Sequence, residues 1–134
     1  MEFGPVNYLA VLVASFAGFA VGPLWYGPLF GKKWMDLQGI TLEDAEGSSA
    51  APLIFTWIGF FFLSYAIARI MSFGHFSGAW WGVVIAFFVW FLVIAPLMLS
   101  QTLYGMKPVK LWAIDAAFRG VTTLIIGFII GIWS

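Results

Sequence analysis

Long apolar runs separated by short polar segments dominate the pattern along this chain. Four such runs cover residues 8–30, 52–71, 79–104 and 111–133. A helix rises about 1.5 Å per residue, so roughly 20 apolar residues cross the hydrocarbon core of a bilayer. The pattern therefore predicts an all-α polytopic membrane protein, a bundle of four transmembrane helices with short loops. Together they form a single transmembrane domain over residues 1–134.

The composition favours the same environment. Apolar residues make up 63% of the chain and charged residues only 9%, whereas soluble domains average roughly 25% charged residues. A chain of this length cannot hide so much apolar surface from water, so we expect membrane lipids to cover it. The formal net charge is zero, which argues against nucleic acid as a partner because phosphate binding needs a basic stripe.

The distribution of Lys and Arg predicts the orientation in the membrane. Four lysines lie in the two loops on one side of the predicted bundle: Lys32, Lys33, Lys107 and Lys110. The opposite side carries only Arg69, at the end of the second run. Because cytoplasmic loops are enriched in Lys and Arg, we expect the loop 31–51 in the cytoplasm and both termini outside the cell membrane.

The same basic residues are candidates for binding lipid headgroups. Each Lys or Arg near an anionic membrane surface contributes about 1 kcal/mol, and tryptophan side chains favour the headgroup layer. A partner protein docking on the loop 31–51 is the alternative. The interface or lipid-binding candidates are Lys32, Lys33, Trp34, Arg69, Lys107 and Lys110.

Small residues recur on one face of the first and fourth predicted helices. Helices in membranes associate through close backbone approach, which small side chains permit. We interpret these stripes as packing faces, either within one bundle or between copies, and a protein partner or self-association within the membrane is therefore expected. The helix-packing candidates are Ala10, Ala14, Gly18, Gly22, Gly120, Gly127 and Gly131.

Asp115 and Arg119 are the leading polar residues inside a predicted span. A charged residue at the centre of a membrane helix costs about 2.5–3.5 kcal/mol, so each needs a partner or a purpose. Their spacing of four residues places them on one helix face, where they can form a structural ion pair. The alternative is a buried site for a proton or an anionic ligand. Ser100, Gln101 and Thr102, at the same predicted depth on the third helix, support that alternative.

No catalytic, metal or cofactor motif is evident. The chain has no cysteine, and the lone His75 cannot build a zinc site, which needs about four ligands. The aromatic residues from Trp80 to Phe91 could contact a quinone or a pigment, but such a face is also typical of lipid contact or packing. We therefore expect no catalytic residue, no metal and no cofactor, and a protein that is not an enzyme.

Two separated parts of the chain carry a family resemblance. The first is Asn7-Tyr-Leu-Ala-Val followed by Gly22-Pro-Leu-Trp-Tyr-Gly-Pro-Leu-Phe-Gly-Lys-Lys-Trp34, and the second is Ile114-Asp115-Ala116 with the tail from Gly127 to Trp133. Both resemble a bacterial family of small integral membrane proteins classed as domain-of-unknown-function family 1761. The resemblance implies a four-helix protein of the bacterial inner membrane and supplies no activity. This chain departs from the family pattern at Arg119. The positions that resemble the pattern are Asn7, Trp25, Tyr26, Pro28, Gly31, Lys32, Trp34 and Asp115.

Three functions are compatible with these observations. The first is a non-enzymatic structural or accessory subunit of a membrane complex, or a homo-oligomer. The second is a small oligomeric transporter or channel that uses Asp115 and Arg119. The third is a membrane protein that binds a quinone, a pigment or a lipid.

Overall fold

Four long helices form the bundle in a computed structural model that describes residues 6–39 and 51–133. Each is long and apolar enough to cross a membrane, which confirms the prediction of an all-α four-helix membrane protein. The four helices are α1 (Tyr8–Leu29), α3 (Ala51–Gly74), α4 (Ala79–Tyr104) and α5 (Val109–Ile132).

A short fifth helix, α2 (Gly31–Gln38), follows α1 directly. It occupies the first part of the segment predicted as the loop 31–51, of which residues 40–50 lie outside the described part. Charged and apolar side chains alternate too closely in these eight residues to resemble a transmembrane run. Gly39 ends the helix in the left-handed conformation, with φ 76°, as is common for a glycine after a helix.

Two π-helical turns interrupt the spans next to prolines. One is the last part of α1, Trp25–Leu29, which contains Pro28. The other is Trp90–Ile94 in α4, just before Pro96. Proline lacks an N–H and its ring collides with the carbonyl group four residues earlier, so the helix must widen or bend nearby.

Glycines allow α4 and α5 to approach closely. A Cβ atom on Gly82 would overlap the carbonyl oxygen of Gly127, and a Cβ atom on Gly131 would lie 2.5 Å from the carbonyl oxygen of Gly78. Further along α5, a Cβ atom on Gly120 would lie 2.9 Å from the ring of Trp90. The small residues of α5 therefore pack inside one chain, where backbone contacts replace side-chain contacts.

The stripe on α1 packs against α3 and α5. Ala10 and Ala14 are buried, and Gly18 is packed against the side chains of Phe60 and Ile126. Gly22, the last member of the stripe, lies at the wall of a cavity instead.

The first and last described turns of the chain meet at one end of the bundle. The side-chain amide of Asn7 donates a hydrogen bond to the carbonyl oxygen of Trp133 at 3.5 Å. An even number of spans requires this arrangement, since each helix returns the chain across the bundle.

Candidate functional site

A cavity of about 810 Å³ lies at the end of the bundle opposite the termini. It forms because α3 packs against the first part of α4, Ala79–Val89, while the start of α3 diverges from the last part of α4, Ala95–Tyr104. Its volume lies within the roughly 300–1,000 Å³ typical of small-molecule sites.

Most of the cavity wall is hydrocarbon or aromatic ring. The apolar part of the lining comes from all four long helices and includes Phe19, Leu53, Phe60, Met98, Leu111 and Phe118. Such a wall suits an acyl chain or another apolar group, because contact with it removes apolar surface from water.

The polar part of the wall is centred on Asp115. Its Oδ1 accepts a hydrogen bond from the hydroxyl of Tyr26 at 2.6 Å. The Nε1 atom of Trp34 is buried close to the Asp115 carboxyl group, but it completes no hydrogen bond with a described residue. The Tyr26 ring contacts Trp34 and Phe118 edge to face, with centroid distances of 5.5 and 5.0 Å. The hydroxyl group is thus held in place by packing on two sides.

Indole donors from two helices fix the backbone around Asp115. Trp25 Nε1 donates to the carbonyl oxygen of Ile114 at 3.2 Å, and Trp90 Nε1 donates to that of Ala116 at 2.8 Å. Both tryptophans belong to the π-helical turns, so the two irregular segments converge on the same stretch of α5. The two segments that carry the family resemblance therefore meet at Asp115.

Arg119 faces the same cavity, one helical turn deeper than Asp115. Its guanidinium carbon lies 5.3 Å from the ring centroids of Phe60 and Phe118, a cation–π geometry. In the described residues, no carboxylate oxygen lies within 4.0 Å of the guanidinium, so the spacing of four residues does not produce a direct ion pair. Asp115 accepts a hydrogen bond from Tyr26 instead, because the end of α1 places the Tyr26 hydroxyl next to the carboxylate.

The three polar candidates on α4 divide into two groups. Gln101 and Thr102 line the cavity, whereas Ser100 is exposed on another face. Consecutive helical residues are rotated by about 100°, so three in a row cannot share one face. The Thr102 hydroxyl already donates to the carbonyl oxygen of Met98 at 3.0 Å, which leaves the Gln101 amide as the better contact for a ligand.

The basic candidates lie in different places. Lys107 lies at the edge of the cavity, where its Nζ atom donates to the carbonyl oxygen of Gln38 at 3.0 Å and joins the α4–α5 loop to α2. Arg69, near the opposite end, donates through Nε to the Tyr65 hydroxyl at 2.8 Å. Trp34 lines the cavity, and the remaining three are exposed: Lys32, Lys33 and Lys110.

A second cavity, of about 550 Å³, lies at the end where the termini meet. Its lining is mostly apolar and includes Asn7, Ser72 and His75. Within residues 6–39 and 51–133, no group of three His, Cys, Asp or Glu side chains could hold a metal ion at either end.

Fold and site together define a small polytopic membrane protein with a partly polar cavity at one end of a four-helix bundle. The chain belongs to the DUF1761 family, described as "Protein of unknown function (DUF1761)", whose profile matches residues 9–131. This match confirms the resemblance seen in the sequence. No curated protein and no solved structure matches the chain.

Proposed function

We propose that this protein binds an amphiphilic small molecule from the surrounding bilayer and is not an enzyme. The observation that carries the proposal is the cavity, in which Asp115, Arg119 and Gln101 face a space otherwise walled by apolar side chains. Ligand sites in proteins are mostly apolar with a few precisely placed polar groups. An amphiphile matches both parts of this wall.

The position of Arg119 supports a ligand with a polar group. Arg119 lies ten residues into α5, about 15 Å from its start, where a charged side chain costs about 2.5–3.5 kcal/mol. The rings of Phe60 and Phe118 offset part of this cost, since each cation–π contact contributes about 0.5–2 kcal/mol. A polar group of a bound molecule would supply the remaining hydrogen bonds.

The other two hypotheses have less support. The glycine stripe of α5, which motivated an accessory subunit or a homo-oligomer, packs against α4 within the same chain. A channel within one copy of the chain would need an open path between the two cavities. Along α5, the fully buried Ile126 separates Arg119, at one cavity, from Ile130, at the other. This arrangement favours binding over conduction.

The lysines give the site an expected side of the membrane. If the four lysines on the cavity side mark the cytoplasm, the cavity opens toward the cytoplasmic leaflet of a bacterial inner membrane and both termini are outside. The ligand would then enter between the start of α3 and the end of α4.

Binding of a defined probe tests the proposal. A lysophospholipid added to the purified protein in nonionic detergent is expected to give a one-to-one adduct in native mass spectrometry. Met98→Trp fills the cavity and should abolish the adduct. Leu97→Trp, on the neighbouring lipid-facing position that is 67% exposed, is the matched control and should retain it. Equal binding by both variants would contradict the proposed site.

A further inference from the structure

Asp115 and Arg119 carry opposite charges, line the same cavity and have unused hydrogen-bonding positions. A carboxylate has about four acceptor positions and a guanidinium five donors. Among the described residues, only the Tyr26 hydroxyl bonds to the Asp115 carboxylate, through Oδ1, and the Arg119 guanidinium makes no hydrogen bond. Both groups can therefore accept a ligand without losing a partner from residues 6–39 or 51–133.

The pair of charges disfavours a ligand of single charge. An anion drawn to Arg119 would also meet the Asp115 carboxylate, and a simple cation at Asp115 would meet the guanidinium. Repulsion of this kind is stronger in a partly buried site than in water, because the effective dielectric constant is lower. A molecule that carries both charges interacts favourably with both groups.

The spacing and the surroundings specify the kind of zwitterion. Asp115 and Arg119 lie one helical turn apart on α5, with Cβ atoms about 5–6 Å apart, and no carboxylate oxygen of Asp115 lies within 4.0 Å of the guanidinium. An ammonium and a phosphate joined by an ethylene link are far enough apart for each to contact one of the two groups. The rings of Tyr26 and Trp34 beside Asp115 are suited to a cation. Because Oδ2 of Asp115 is an open acceptor, an ammonium with N–H groups is favoured over a quaternary one.

We infer that the cavity selects a zwitterionic phosphoethanolamine headgroup, with its ammonium at Asp115 and its phosphate at Arg119 and Gln101. This inference rests on the proposed function and names the ligand class for the same site. The acyl chain would lie along the apolar wall near Phe60 and Met98 and leave the bundle between α3 and α4.

Competition among matched lipids tests the inference. Three lysophospholipids with the same acyl chain and a phosphoethanolamine, phosphocholine or phosphate monoester headgroup are titrated into the wild-type protein in detergent by native mass spectrometry. We expect the phosphoethanolamine lipid to bind about tenfold more tightly than either competitor, the factor expected for one charged hydrogen bond. Asp115→Asn should remove this preference, while the three lipids still bind through their phosphate groups. Arg119→Gln should weaken the binding of all three lipids.

The outcomes separate the two proposals. If all three lipids bind the wild type equally and Met98→Trp abolishes binding, the headgroup inference is wrong and the proposed function stands. If no lipid binds the wild type, the proposed function itself is wrong. The preference of the wild type is measured without any variant, so a variant that fails to fold leaves the test intact.

Discussion

The hydroxyl group of Tyr26 donates a 2.6 Å hydrogen bond to Asp115 across 89 positions of sequence. It joins the π-helical end of α1 to the first third of α5, at the wall of a cavity that Arg119 also lines. The bond holds the acid toward the cavity and away from a direct ion pair with the arginine one turn deeper.

Removing this hydroxyl group should destabilise the protein. Tyr26→Phe keeps the ring contacts with Trp34 and Phe118 but leaves the partly buried Asp115 without its donor, at a cost of about 1–3 kcal/mol. Thermal unfolding in detergent would measure the loss. Tyr104→Phe, at a position 89% exposed, is the control and should unfold like the wild type. Equal stability of both variants would show that Asp115 does not depend on Tyr26.

The close approach of α4 and α5 should tolerate no added side chain. Gly127→Ala places a methyl group against the carbonyl oxygen of Gly82, so the helices must separate. Overpacking of this kind costs about 1–3 kcal/mol. Gly59→Ala provides the control, because a Cβ atom there meets nothing within 4 Å. A denaturation series should show a loss for the first variant alone. If Gly127→Ala is as stable as Gly59→Ala, the helices are not in contact at this point.

Arg119 is expected to lower the stability of the folded protein and to contribute to ligand binding. Arg119→Met retains the apolar stem of the side chain and removes a charge that has no carboxylate partner in the part of the chain that the structure describes. We expect the free energy of unfolding without lipid to rise by about 1–2 kcal/mol, together with weaker lysophospholipid binding. Asp36→Asn, at an exposed position outside the cavity lining, should change neither quantity. A marked loss of stability in Arg119→Met would instead indicate a structural role for the arginine.

The orientation can be determined because the chain has no cysteine. Single variants Lys33→Cys, in α2, and Ser77→Cys, in the turn between α3 and α4, place one thiol at each end of the bundle. A membrane-impermeant maleimide applied to intact spheroplasts should label Ser77→Cys, while Lys33→Cys should react only after the membrane is opened. The reverse labelling would place the termini and the lysine loops on the opposite sides.

Most of the fold could be predicted from hydropathy, since each span is a largely apolar run long enough to cross a bilayer. The helix α2 was not predicted, because its eight residues mix Lys, Asp and apolar side chains and show no membrane signal. Asp115 and Arg119 could be identified as candidates from their charge alone. The partner of Asp115 could not, because the approach of Tyr26 depends on the π-helical turn and on the packing of α1 against α5. The spacing of four residues predicted Arg119 as the partner of Asp115, whereas the tertiary structure brings the Tyr26 hydroxyl to Asp115.

Photocrosslinking would show whether a lipid occupies the cavity, because it locates the bound molecule on the chain. A lysophospholipid with a photoreactive group on its acyl chain is bound to the protein in detergent and irradiated, and the adducts are mapped by peptide mass analysis. We expect adducts at the cavity wall, on Leu53 and Met98, and their loss in competition with the unlabelled phosphoethanolamine lipid. Adducts confined to exposed positions such as Phe88 and Leu92, unaffected by competition, would contradict it.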